Sequence, residues 1–177
     1  MKRFIIITLL MLLLLALAVF LMPAAEGQAK TKVPEVSFEE HVKSMIQEHK
    51  LMTKRLIAYI EYKHESIDLL ARVAFKENWY TDEEKLSARW TMGVVMNRVA
   101  SPYFPNTVKE VLYQKGQYST TKYFFTEDPP EECYEMAREV WENGVPEMPE
   151  NVLFQSQQPK LGRGYWKVIN GEYFAYG

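Results

Sequence analysis

Cysteine occurs once in this sequence, as Cys133, and histidine three times, as His41, His49 and His64. A lone cysteine has no intramolecular partner, so no disulfide framework holds the fold. Its helical spacing in "PPEECYEMAREVW" makes Cys133 a small buried hydrophobe, and a catalytic thiolate would want a histidine close by. The histidines all lie in one N-terminal stretch and form no His-x-x-x-His or His-Glu-x-x-His pair. A metal centre needs several such ligands converging, so no metal is expected, and no cofactor. Glycine is sparse, at 8 residues. No glycine-rich phosphate loop precedes a helix, and Gly-x-Ser-x-Gly does not occur. Excess positive charge is also missing: 21 Lys and Arg face 23 Asp and Glu, a net charge of −2. Without a basic stripe, nucleic acid is excluded as a partner.

What the chain does have begins at its N-terminus. Lys2 and Arg3 precede residues 4–22, an apolar run with one polar member, Thr8, followed by Pro23 and small residues. That order predicts a signal peptide over 1–29 with an Ala-x-Ala-like cleavage region. The run is also just long enough for an N-terminal membrane anchor. Either way the rest of the chain is exported, with the C-terminal part outside, secreted or tethered at the cell envelope. The remaining 19 basic and 22 acidic residues leave a charge near −3, on a length that suits one domain.

Beyond a linker at 30–36, Ser37-Phe38-Glu39-Glu40 has capping-box spacing and opens a long amphipathic helix to about Tyr62. Its stripe of Phe38, Val42, Met45, Ile46, Met52, Leu56 and Ile60 suits a stalk or interaction helix, and equally a core helix. Residues 30–65 are therefore set apart from a domain at 66–177. Ser66 caps a second helix, Ile67 to Asn78. Thr81-Asp82-Glu83-Glu84 opens a third, to Ala100, which "SPYFPN" ends. Thr107 to Glu110 caps a short helix through Tyr113. "QKGQYSTTKYFFTEDPP" reads as a long aromatic loop, and Pro129-Pro130 lead into a helix that stops before Gly144. "NVLFQS" and "YWKVINGEYFAY" read as strands. Asn170-Gly171 predicts a two-residue hairpin that pairs Val168 with Tyr173 and Trp166 with Ala175 on one apolar face. Helices first and a small antiparallel sheet last define an α+β domain.

One residue stands out within "LLARVAFKENWY" (69–80). Leu70, Val73, Ala74 and Glu77 share a helix face, so the apolar stripe ends in a carboxylate. Partial desolvation and the helix C-terminus both disfavour its charged form, and Phe75, Trp79 and Tyr80 flank it. A carboxylic acid that holds its proton near neutral pH is a general acid, the agent that protonates a glycosidic oxygen. Ordinary glycosidases need a second carboxylate. Asp82, Glu83, Glu84, Glu127, Asp128 and Glu172 are available, and sequence does not choose among them. One polysaccharide reaction does without it: in peptidoglycan the 6-hydroxyl of muramic acid attacks its own anomeric carbon, and a single Glu serves as acid and then base.

Residues 67–176 resemble the SleB-like cell-wall hydrolases, the spore-cortex-lytic enzyme family. The resemblance rests on "LLARVAFKEN", "GVVMNRV", "FPNTVKEVLYQKGQYS" and the closing "INGEYFAY", in that order. It implies a lysozyme-like helical fold and lytic transglycosylase cleavage of a peptidoglycan glycan strand at the N-acetylmuramic acid–N-acetylglucosamine bond. It also implies that Glu77 is the catalytic acid/base. The chain departs from the family pattern at "NWYTDEE", where Thr81 stands near a usual second Glu, and at Glu172, where a His is usual. For substrate binding we expect Gln117, Tyr118 and Ser119 to form a cleft wall, and Phe154, Gln155, Trp166 and Tyr173 to offer a sugar-stacking strand face. Asn97 and Arg98 read as structural, tying the third helix to the "FPNT" turn. The alternative is a non-catalytic, membrane-tethered envelope protein that binds glycan or a partner on a degenerate hydrolase fold.

Overall fold

The computed structural model describes residues 37–77, 79–159 and 164–177. The expected signal or anchor at 1–29 and the linker at 30–36 lie outside the described residues. The chain divides into two units, Met1–Ile46 and Gln47–Gly177. In order, the described elements are α1 (Phe38–Glu77), α2 (Asp82–Ala100), α3 (Val108–Leu112), a 3-10 turn (Ser119–Tyr123), α4 (Glu131–Asn143), β1 (Val152–Ser156), β2 (Tyr165–Ile169) and β3 (Glu172–Tyr176). The α+β class is as the sequence predicts. Among the described residues no helix is long and apolar enough to cross a membrane.

The first correction concerns α1. The two helices expected on either side of Ser66 are one helix of 40 residues. No Gly or Pro interrupts 38–77, and Ser66 is buried inside the helix instead of capping one. The stripe expected on its first part does not join a core: Met52, Leu56 and Ile60 are all exposed. Burial begins near Tyr62, whose ring meets Trp141 of α4 edge-on at 5.5 Å, and Lys63 pairs with Glu142 at 2.9 Å. From there Leu70, Val73 and Ala74 lie fully inside.

The caps follow the sequence closely. Ser37 and Glu40 exchange backbone-to-side-chain bonds at the start of α1. Thr81 Oγ1 accepts from the Glu84 N–H at 3.2 Å, while Glu84 Oε2 accepts from the Thr81 N–H at 2.7 Å, a complete capping box. Thr107 caps α3 through the Glu110 N–H. Gly144 ends α4 at φ 65°. Within α2, Gly93 is required by packing. A Cβ there would stand 2.8 Å from Val145 Cγ2 and 3.0 Å from Met148 Sδ.

The sheet has the order β1-β3-β2, antiparallel throughout. Asn170 and Gly171 turn at φ 47° and 75°, as a two-residue hairpin of this hand requires. Val168 pairs with Tyr173 as expected, but Trp166 does not pair with Ala175. Tyr165 takes that place, because a bulge falls between Tyr165 and Lys167. The extra residue re-aims Trp166 onto Trp90, with ring centroids 4.8 Å apart. Nor do these residues make one apolar face, since Val168 is 53% exposed.

The segment read as a structureless aromatic loop carries the 3-10 turn and is pinned from below. Arg72 of α1, itself buried, donates to the Phe124 carbonyl at 2.7 Å, to Asp68 at 2.9 Å and to Asp128 at 3.0 Å. Its guanidinium also lies 4.5 Å from the Phe125 ring centroid. Phe124 is completely buried. One arginine therefore holds the loop against the same helix turns that carry Glu77.

Candidate active site

Glu77 is the last residue of α1, half-buried, where the apolar stripe runs out. Thr120 Oγ1, from the 3-10 turn, donates to Glu77 Oε1 at 2.7 Å. Burial pushes the Glu77 carboxyl above its ordinary value. The Thr120 hydrogen bond opposes that shift, and the negative charge of Glu172 adds to it. Of the flanking aromatics Trp79 is buried, but Tyr80 is 87% exposed and shields nothing.

Glu77 opens onto a cleft of about 470 Å³, lined also by Arg98, Gly116, Gln117, Tyr118, Ser119, Phe154, Gln155, Ser156, Gln157 and Glu172. The structure thus brings together Glu77, Gln117, Tyr118, Ser119, Phe154 and Gln155 from the sequence-derived set. It leaves out two. Trp166 is turned onto Trp90 by the bulge, and Tyr173 packs its ring 5.3 Å from Tyr165. The alternation of β3 explains the second case. Glu172 points at α2, where Ser87 Oγ donates to its Oε2 at 2.6 Å, so the next residue faces the other way.

Three residues were missed or misread. Arg98, expected to be purely structural, is buried and lines the cleft. Its Nε donates to the Leu153 carbonyl at 2.7 Å, and its guanidinium lies over the rings of Phe104, Tyr118 and Phe154. Asn97 stays out of this cleft and donates to the carbonyls of Pro149 and Val152. Glu172, one of six carboxylates left open, is the one that reaches the cleft. It is 4% exposed and accepts from Gln155 Nε2 at 3.2 Å as well as from Ser87. Thr120 carried no signal beyond its place after "GQYS". An apolar-spaced Ser87 and Arg98 on one face of α2 was the available hint for the other two.

A larger groove of about 730 Å³ is lined by Met96, Pro102, Val145, Met148, Leu153 and neighbours, with the exposed Glu150 as its one carboxylate side chain. Size does not choose between the two; the buried charged groups, Glu172 and Arg98 beside the half-buried Glu77, lie in the smaller. His41, His49 and His64 are exposed on α1 and do not line the cleft. Cys133 is buried and free, and burial pushes its thiol up to about 12. Among the described residues no cluster of His, Cys, Asp and Glu could hold a metal ion.

A partly desolvated acid set in a polar groove makes this cleft the candidate for acid–base chemistry. Residues 83–170, just under half of the chain, match the family model described as Cell Wall Hydrolase. That span includes Arg98, Gln117 to Ser119, Phe154 and Gln155; it begins beyond Glu77 and stops short of Glu172. Comparison with the curated proteins and with the solved structures finds no match.

Proposed function

We propose that this chain is an exported enzyme of the SleB-like kind that cleaves peptidoglycan, with Glu77 as its general acid and base. The single observation that carries this reading is the placement of the half-buried Glu77 carboxyl, held by Thr120 at the end of an apolar stripe, on the wall of a polar cleft that also holds Glu172. The match to Cell Wall Hydrolase supports the substrate, and with it an extracytoplasmic location. In the reaction, protonated Glu77 gives its proton to the glycosidic oxygen as the bond to the anomeric carbon breaks. The carboxylate then takes the proton from the muramic acid 6-hydroxyl as that oxygen closes on the anomeric carbon. The product is a 1,6-anhydro sugar, and the Glu ends as it began. Thr120 orients the carboxylate throughout. Gln117 and Ser119 offer hydrogen bonds to sugar hydroxyls, and Phe154 offers an apolar wall.

Glu172 in the same cleft favours a second reading, hydrolysis with water activated by that carboxylate. Mass spectrometry of muropeptides released from purified sacculi separates the two, because the anhydro product is one water lighter. Glu77→Gln should lose on the order of 10²–10⁴ in rate in either case. Equal digestion by the variant would refute the assignment. Sedimentation with sacculi but no released muropeptide from the unaltered chain would favour the non-catalytic envelope protein.

A further inference from the structure

The exposed stretch of α1 carries an unpartnered seam. His49, Met52, Leu56 and Tyr59 alternate spacings of three and four residues, the period at which one helix meets another. Met52 is 68% exposed and Leu56 59%, and among the described residues nothing packs on them. Thr53 and Ile60 border the seam on one side, Glu48 and Arg55 on the other. Glu48 and Arg55 are seven residues apart, two turns of the helix, too far to reach each other. The positions three and four away from each are Ser44, Met45, Leu51, Met52, Ala58 and Tyr59, so α1 itself gives neither charge a partner.

Charge decides what covers the seam. A helix that lies in a bilayer surface has a strongly basic polar face. Residues 47–61 instead mix three basic side chains with two acidic ones. The apolar run at 4–22 of the same chain offers Glu48 and Arg55 no opposite charge. A parallel second helix fails too: each bordering charge then faces the position five residues on, which sets Glu48 against Thr53 and Arg55 against Ile60. An antiparallel helix centred between Lys50 and Leu51 answers both charges, since Glu48 of each copy meets Arg55 of the other. Sliding that pair by one heptad would set Arg55 against Arg55, so the charges also select the register.

We propose that this seam is closed by a second copy of the chain, lying antiparallel with Glu48 of each helix against Arg55 of the other. His49 then packs against the second copy's Met52, once on each side of the two-fold axis. Upstream the sequence keeps the same period with Met45 and Val42, which this register brings opposite the second copy's Leu56 and Tyr59. The pairing does not depend on the role of Glu77. Urea unfolding of the dilute single chain does not sense it, because the seam is formed between copies.

Sedimentation velocity of the full chain in dilute nonionic detergent tests the pairing. The unaltered chain should run as a dimer. Glu48→Arg alone, or Arg55→Glu alone, turns two attractions into two repulsions and should weaken the dimer about tenfold. Glu48→Arg combined with Arg55→Glu should restore it, and an equal mixture of the two single variants should form a heterodimer as tight as the unaltered pair. Circular dichroism and the muralytic rate per chain should be the same in all variants, since both positions are exposed and outside the Glu77 cleft. A monomer at every concentration, a dimer indifferent to both single reversals, or a double variant no tighter than the singles would each overturn the proposal.

Discussion

Helix α1 contains two stretches of contrasting character. Residues 47–61 are exposed on every side, with Leu51, Met52, Leu56, Ile57 and Ile60 all at the surface. Residues 69–74 of the same helix are buried without exception, including Arg72. Both stretches carry aliphatic side chains and charge, and the second is the more apolar, but the first still has enough aliphatic residues to form a stripe. What also differs is what lies around them. The second stretch meets α4, the 3-10 turn and its Phe124 anchor, while among the described residues the first has nothing packed on it. The catalytic candidate stands just beyond the buried stretch, half-buried where the apolar stripe runs out. The contrast teaches that apolar spacing shows which residues can be buried, and neighbours determine which are.

Substitutions can break that contrast at graded cost. The largest effect on function belongs to Glu77→Gln, a loss on the order of 10²–10⁴ in muralytic rate, or about 3–5 kcal/mol of transition-state stabilisation, with the fold kept. Leu70→Ala should cost about 2–5 kcal/mol in urea unfolding, since Leu70 is wholly inside and leaves a cavity. Arg72→Met should cost roughly 3 kcal/mol, because it strands Asp68 and the Phe124 carbonyl. It should also lower activity, by releasing the turn that carries Thr120. Thr81→Ala should cost about 1 kcal/mol through loss of its cap. Leu56→Ala, on the exposed stretch, should stay within about 0.5 kcal/mol. A Leu56→Ala effect as large as that of Leu70→Ala would abolish the distinction.

Acidity sharpens the same comparison. Burial holds the folded Glu77 carboxyl above its ordinary 4.5, so between that value and the folded one the native chain keeps a proton the unfolded chain has released. Its contribution to stability is therefore full below the ordinary value and is lost as pH rises through the folded one. Urea titrations from acid to neutral pH should show this downward slope in the unaltered chain and not in Glu77→Gln. If the two curves run parallel, Glu77 is not desolvated. The alkaline limb of catalysis should follow the same group, with proton donation fading as pH climbs past the folded value.

The caps at Ser37, Thr81 and Thr107, the stop at Gly144 and the Asn170-Gly171 hairpin were legible in the sequence because each is set by contacts within a few residues. So was Glu77, whose place on the helix face follows from spacing alone. Gln117 to Ser119 fall in a segment of the family resemblance, and Phe154 and Gln155 were expected on a strand face, without any local signal for a cleft. The failures share one cause: they depend on partners distant in the chain. A bulge opposite Ala175 took Trp166 out of the cleft, and the pleat of β3 did the same to Tyr173 while sending Glu172 in. Arg98 looks like a helix-end residue until β1 supplies the Leu153 carbonyl and the rings that enclose it.

By itself, then, the sequence determined the α+β class, the capped element ends other than the false start at Ser66, and the one acid carried on an apolar stripe, since short-range geometry settles all three. The tertiary structure alone decided which of six carboxylates reaches the cleft of that acid, which aromatics stay in the core, and that Arg98, Tyr118 and Gln155 line one cleft. Desolvation and hydrogen-bond pairing are properties of surroundings, and the surroundings of these residues come from segments tens of positions away.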